Sequence, residues 1–174
     1  MAGVDGWESW QHQTDDGAVE SEQRVALGAP VVEFTTAGAE HLGRAYWREV
    51  ERVTRHLVRV RERRGALELR VLGRGPTLLR FGRPTVEATA ALARCRYSID
   101  GGLLAQRPAG EIVFAQVGGS APAIRSTIRG FFPSLAARKG EPDWTGALYN
   151  QVQSRIHLAI SRRYFARLIA DARV

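Results

Sequence analysis

The sequence has very little lysine: of its 25 basic residues only Lys139 is a lysine, and all the others are arginines. Phosphate-binding loops need a glycine-rich turn together with a lysine. Gly73 and Gly75 are followed by Pro76, where a dinucleotide-binding fingerprint continues toward a third glycine. The sequence therefore argues against a nucleotide-binding enzyme.

Cysteine is almost absent as well, since Cys95 is the only one. A single cysteine can form no internal disulfide and cannot anchor a typical zinc site. The four histidines show no paired spacing on a predicted strand or helix, and Ser120 does not lie in a nucleophile elbow. We therefore expect no metal ion, no cofactor and no recognisable catalytic motif.

Long hydrophobic runs are missing too. The longest is Val25 to Val32, and it is interrupted by Gly28 and Pro30. A helix that crosses a bilayer needs about 20 apolar residues, and the N-terminus has no basic region followed by an apolar core. We therefore predict a cytoplasmic protein with no transmembrane segment.

Charge is distributed unevenly along the 174 residues. Residues 1–38 hold seven acids against Arg24 alone, although the whole chain has a net charge of +7. Residues 1–29 show no sustained hydrophobic period, so we predict a flexible acidic segment there, with a possible role in binding a protein partner. Residues 30–174 are predicted to form a single domain, and its arginine content is what a GC-rich coding sequence would give.

A helix and then a run of strands are predicted after residue 30. Val31 to Phe34 reads as a short strand, and Thr35 or Thr36 can cap a helix over about Ala39–Val53. From Thr54 to Arg129 apolar residues alternate with arginines between glycine-rich turns, which is typical of strands joined as hairpins. This pattern predicts an antiparallel meander of six to seven strands.

A long helix is predicted at the C-terminal end, beginning at Asp143 or Thr145 and ending near Ala170. Val152, Ile156 and Ile160 mark one apolar face of it. The predicted fold class is thus α+β, with the meander sheet wrapped on the C-terminal helix and an N-terminal helix before it.

This order of elements, over about residues 30–172, resembles the START-like or helix-grip superfamily of polyketide cyclases and lipid carriers. The resemblance is one of order alone, and no signature motif accompanies it. It implies a curved sheet around the last helix with a cavity between them. A lipocalin-like closed barrel is the rival interpretation, because a meander with one flanking helix also suits that fold.

Polar residues on faces that otherwise look buried are the candidate ligand-binding residues, since small-molecule sites are mostly apolar with a few polar groups. Three of the candidates lie on predicted strands, and the other three follow one another at intervals of four on the last helix. They are His56, Tyr97, Ser126, Tyr149, Gln153 and His157.

The leading hypothesis is a domain that binds a hydrophobic or amphipathic small molecule between the sheet and the C-terminal helix. The second is a cyclase- or dehydratase-like enzyme in the same cavity, with His56, Tyr97 or His157 as acid or base. The third is a basic module that binds nucleic acid or an anionic membrane. We favour binding over catalysis and do not expect nucleic acid as the partner, because aromatics are not interleaved with the basic residues.

Overall fold

Two helices and nine strands are formed by the described part of the chain, which in the computed structural model comprises residues 6–134 and 143–173, with side chains from residue 155 onward in the second range. The helices are α1 (Thr36–Val53) and α2 (Asp143–Asp171). The strands are β1 (Trp7–Gln13), β2 (Val19–Ala26), β3 (Val58–Arg63), β4 (Ala66–Val71), β5 (Thr77–Phe81), β6 (Thr85–Thr89), β7 (Leu92–Gly101), β8 (Glu111–Val117) and β9 (Ala123–Phe131). The predicted α+β class is confirmed.

The strands form one antiparallel sheet in the order β1-β2-β9-β8-β7-β5-β4-β3, and β6 pairs with β7 beside this path. Since β1 and β3 are the two edges, the sheet is open and the lipocalin-like closed barrel is wrong. The sheet has more strands than the six to seven predicted. Residues 103–106, which lie within the predicted run of strands, form only one isolated bridge, from Ala105 to Pro133.

Two of the additional strands lie in the segment that we predicted to be flexible. β2 pairs with β1 on one side and with β9 on the other, so residues 7–26 belong to the sheet. The sequence signal for β2 was an alternation with a period of two. Ser21, Gln23 and Val25 are buried, whereas the alternate residues Glu20, Glu22 and Arg24 are not. This signal was missed because two of the inward positions are polar. The prediction of flexibility is therefore corrected for these strands.

Helix α1 begins as predicted, because the Thr35 hydroxyl accepts a hydrogen bond from the Gly38 N–H at 3.1 Å. Its apolar face is buried on the sheet at Leu42, Tyr46, Trp47 and Val50. Gly43 lies on the same face, where an added Cβ would be 2.6 Å from the Tyr97 hydroxyl. The helix therefore approaches β7 as closely as glycine allows.

The predicted strand at Val31 to Phe34 does not form, and a side chain takes the place of its ladder. Gln116 on β8 accepts hydrogen bonds from the Val31 and Val32 N–H groups at 2.7 and 3.0 Å, and its amide donates to the Val32 carbonyl at 2.8 Å. Gln116 is fully buried. One amide group thus satisfies the backbone of the segment that leads into α1.

Helix α2 lies against α1 and the sheet with Ile160, Tyr164, Phe165 and Leu168 buried. Glu49 of α1 is also buried, and its carboxylate pairs with Arg52 at 2.5 Å and with Arg163 of α2 at 3.8 Å. This ion pair joins the two helices. Within residues 6–134 and 143–173, neither helix is long and apolar enough to cross a membrane.

We expect Gln116→Leu to lower the free energy of unfolding by about 1–3 kcal/mol, because the variant leaves part-buried backbone groups of Val31 and Val32 without partners. The control is Gln106→Leu, since Gln106 is exposed and should change stability by no more than about 0.5 kcal/mol. Chemical denaturation measures both. Equal, small effects would show that Gln116 does not hold the segment.

Candidate functional site

A cavity of about 330 Å³ lies between the inner face of the sheet, α1 and α2. Its volume falls within the range of small-molecule sites. Most of its described lining is apolar and comes from both helices and seven strands. The apolar lining residues are Val19, Trp47, Val50, Val58, Leu69, Leu78, Leu79, Phe81, Ile99, Leu104, Ile112, Ile128, Phe131, Pro133, Ile156 and Ile160.

Ile156 lies on the predicted apolar face of α2 but is not buried. Its side chain is 45% exposed, whereas Ile160, one turn further along α2, is 6% exposed. Both residues line the cavity. The two positions share a helix face, as predicted, but at Ile156 that face meets open space and at Ile160 it meets packed side chains.

Polar groups are concentrated on one side of the cavity, where Tyr46 and His157 face each other. The Tyr46 hydroxyl lies 3.1 Å from His157 Nδ1. On the other side of the ring, His157 Nε2 lies 2.9 Å from Gln23 Oε1, which also accepts a hydrogen bond from Ser161 at 3.5 Å. A continuous polar chain therefore runs from Tyr46 through His157 and Gln23 to Ser161.

The direction of each hydrogen bond in the polar chain follows from the amide oxygen of Gln23. A carbonyl oxygen only accepts, so His157 Nε2 carries the proton and donates it. His157 Nδ1 is then the acceptor for the Tyr46 O–H. Burial lowers the pKa of His157 from 6.5 to about 4, which keeps the ring neutral at neutral pH, and burial raises the pKa of Tyr46.

Three further polar residues line the cavity: Gln11, Ser21 and Thr54. The Thr54 hydroxyl is engaged at the end of α1, where it donates to the Val50 carbonyl at 2.8 Å. Ser21 Oγ has no hydrogen-bond partner among the described residues. Ser21 thus offers a free hydroxyl to a molecule in the cavity.

The predicted site residues do not come together as a set. Of the six, His157 lines the cavity, whereas the side chains of Tyr149 and Gln153 lie outside the described residues. Ser126 is fully buried and opposite Gln23 across β9 and β2, and its hydroxyl has no partner and does not line the cavity.

His56 lies outside the cavity because it is not part of a strand. Helix α1 extends to Val53 with Thr54 as its C-cap, so no strand can begin at Thr54. The chain reverses through Arg55 and His56 at φ of 50° and 62°, and β3 begins only at Val58. His56 is exposed, and its Nδ1 lies 3.0 Å from an Arg59 guanidinium nitrogen. A strand register read from alternation alone had placed it inside.

Tyr97 is buried, as its alternation on β7 predicts, but it faces a second cavity. That cavity has a volume of about 630 Å³ and lies between α1 and the β3–β4 hairpin. Trp47 separates the two cavities, since it lines both. The second cavity carries Glu40, Arg44, Arg48, Glu51 and Glu62, so its lining is far more charged than the first.

Sequence reasoning missed Tyr46, Gln23 and Ser161. Tyr46 lies on the apolar, buried face of α1, and only the tertiary structure brings its hydroxyl to His157. The alternation of Ser21 and Gln23 with charged neighbours was a detectable signal for β2. Ser161 lies four residues after His157, which puts both on the same helix face.

No protein-family model matches the chain, and no curated protein sequence matches it. Among solved structures it is similar to that of Ara h 8.0201, with 13% identity, a TM-score of 0.35, and 92% of this chain and 99% of that chain covered. It is also similar to CalU16 from Micromonospora echinospora, with 10% identity, a TM-score of 0.32, and 97% and 98% of the two chains covered. At such TM-scores, neither likeness supports an argument about fold or function.

His157 should make the protein less stable as the pH falls. Its pKa is about 4 in the folded state and 6.5 ordinarily, so the unfolded chain binds more protons between these values. The stability from the neutral ring is complete above about pH 6.5 and is lost toward about pH 4, by up to about 3 kcal/mol. Chemical denaturation across this window measures the loss.

The matched variant is His157→Gln, which keeps hydrogen-bonding groups at the position but does not titrate. Other acids contribute equally to both proteins, so the difference between the two pH profiles isolates the ring. A wild type and a His157→Gln variant with parallel profiles would contradict a buried neutral His157.

Proposed function

We propose that the chain is a helix-grip domain that holds a hydrophobic or amphipathic small molecule in the 330 Å³ cavity. The observation that carries the proposal is the combination of an apolar lining with one hydrogen-bonded polar side. Such a lining removes an apolar ligand from water, and a few fixed polar groups orient it. The order of strands and helices, with the open sheet facing α2, is what the helix-grip resemblance implies.

The chemistry of the lining restricts the ligand further. No Asp, Glu, Lys or Arg is among the described residues that line the cavity, and His157 is neutral. A charged group placed there would be buried without a partner, which is strongly unfavourable. We therefore infer that the part of the ligand inside the cavity is apolar with a neutral polar group, such as a hydroxyl or a carbonyl.

Tyr46 and Ser21 are the groups that such a polar atom would meet. The Tyr46 oxygen donates its proton to His157 and also has Ser161 as a hydrogen-bond partner, which leaves one lone pair that can accept a hydrogen bond from a ligand hydroxyl. Ser21 can donate to a ligand carbonyl. The two side chains come from α1 and β2.

Binding is favoured over catalysis by the state of His157. Both ring nitrogens are engaged, one by Tyr46 and the other by Gln23. A general base needs a free nitrogen within reach of the ligand proton. In His157, Nδ1 already accepts a hydrogen bond from Tyr46 and Nε2 donates one to Gln23. The cyclase- or dehydratase-like alternative would have to act through Tyr46, because His56 and Tyr97 do not line this cavity.

We expect wild-type protein to bind the neutral probe N-phenyl-1-naphthylamine with a rise in fluorescence, and Ile128→Trp to bind it about tenfold more weakly, because the larger side chain fills the cavity. Val113→Trp is the control: Val113 lies on β8 but does not line the cavity. Fluorescence titration measures both affinities.

Equal probe affinity for wild type, Ile128→Trp and Val113→Trp would show that the probe binds elsewhere and would count against the cavity as the site. A wild type that gives no fluorescence change would do the same. Native mass spectrometry of protein purified from its own host would then identify a retained ligand directly, if the cavity is filled there.

A further inference from the structure

Three exposed leucines lie at one end of the sheet: Leu57, Leu72 and Leu103, with 61%, 66% and 60% of their surface accessible. We refer to them as the leucine rim. Leu57 precedes β3, Leu72 follows β4 and Leu103 follows β7. The antiparallel register puts the beginning of β3 beside the end of β4, and Leu103 lies beside Thr77 at the beginning of β5. Leu57 and Leu72 are therefore neighbours, and Leu103 lies at the same end of the sheet.

Backbone hydrogen bonds join the turns that carry the rim. The Leu72 N–H donates to the Leu57 carbonyl at 2.8 Å, and the Leu103 N–H donates to the Thr77 carbonyl at 3.1 Å. Thr77 begins β5, which pairs with β4. The rim is thus held on the sheet rather than on separate loops.

The rim adjoins partly exposed residues of the cavity lining, and we call this end of the cavity its mouth. Val58 and Leu104, which directly follow Leu57 and Leu103 in the sequence, both line it. Leu104 also donates to the carbonyl of Leu78, another lining residue, at 2.9 Å. The apolar surface therefore continues from the cavity onto the outside of the protein.

The backbone at the rim passes through left-handed residues in two turns that local hydrogen bonds hold, one after α1 and one after β4. Leu72 has a φ of 49°, in the left-handed region that leucine rarely adopts, and Arg55 and His56 have φ of 50° and 62°. At Leu72 this conformation goes with a side chain that points into water.

Arginines that have no acid partner lie between the leucines. Arg55 and Arg74 are exposed, and neither forms an ion pair with an acid in the described part of the chain. Asp16 in the β1–β2 turn is close enough to Arg107, four residues after Leu103, to interact with its charge, so the acids of that turn face Arg107 and not Arg55 or Arg74. The charge next to Leu57 and Leu72 is therefore positive.

We propose that the leucine rim, with Arg55 and Arg74, docks the cavity mouth onto the surface of an anionic lipid bilayer. Leucines can enter the acyl boundary while arginines contact acidic headgroups, and both terms add to binding. A hydrophobic ligand could then pass between bilayer and cavity without crossing water. Docking itself rests on exposure and charge, and only this transfer step rests on the proposed ligand-binding function.

The test is sedimentation of the full chain with vesicles of phosphatidylcholine alone and of an equimolar mixture of phosphatidylcholine and phosphatidylglycerol. We expect binding to the anionic vesicles that weakens as salt is raised, and much weaker binding to the neutral ones. No sedimentation of wild-type protein with anionic vesicles would overturn the proposal. Because this assay needs no ligand in the cavity, it can fail or succeed independently of the fluorescence titration.

The rim variant combines Leu57→Ser, Leu72→Asn and Leu103→Ser, and we expect it to bind anionic vesicles at least about tenfold more weakly. Asparagine suits the positive φ at position 72, so the variant should melt at or near the wild-type temperature. The control is Trp10→Ser, which removes another exposed apolar side chain on the edge strand β1. Equal vesicle binding by the rim variant and the wild type would overturn the proposal.

The charge variant combines Arg55→Gln with Arg74→Gln, for which we expect a loss of about fivefold for each arginine and a smaller salt dependence. Arg173→Gln, an exposed arginine beyond the end of α2, is the matched control and should bind as the wild type does. A wild type that binds duplex DNA or RNA but no vesicle would replace the lipid surface with nucleic acid as the partner.

Discussion

Gln23 reaches from β2 to α2, and its amide oxygen accepts hydrogen bonds from both His157 and Ser161. Gln23 is almost completely buried, so its amide would destabilise the fold if it had no partners. The bond to His157 fixes which ring nitrogen carries the proton, and through it the direction of the Tyr46 hydroxyl. The arrangement of the polar side of the cavity depends on this one side chain, which also joins the N-terminal hairpin to α2 beside the ring contact of Trp7 with Phe165.

The cavity has two chemically different ends because its walls have different origins. At the polar side, β2 and the two helices bring hydrogen-bonding groups together, and these groups satisfy one another. At the mouth the strands end in turns, and apolar side chains such as Leu57 and Leu103 have no further layer to pack against. The polar side can bind the neutral polar group of a ligand that has an apolar body. The mouth instead faces the surface from which such a ligand would enter.

Many of the arginines form ion pairs with nearby acids and do not build one continuous basic surface. Arg52 pairs with Glu49, and Arg70 and Arg80 pair with Glu68. Exposed pairs of this kind contribute little to stability, but they leave less free charge for an external polyanion. The buried Glu49 is different, since its ion pairs with α1 and α2 arginines hold the helices together and compensate for burying a carboxylate.

Local patterns in the sequence determined the α+β class, the cap at Thr35, the buried faces of α1 and β7, and the extent of α2, because periodicity and capping depend on neighbouring residues. Only the tertiary structure decided that β2 joins the sheet, that Gln116 replaces a strand at Val31, and that Tyr46, His157 and Gln23 meet. These contacts join residues up to 134 positions apart, and a polar residue on an inward face carries no local sign of its partner. His56 is an example of the opposite error. Its alternation with neighbouring residues predicted a strand, but the chain turns there after the end of α1.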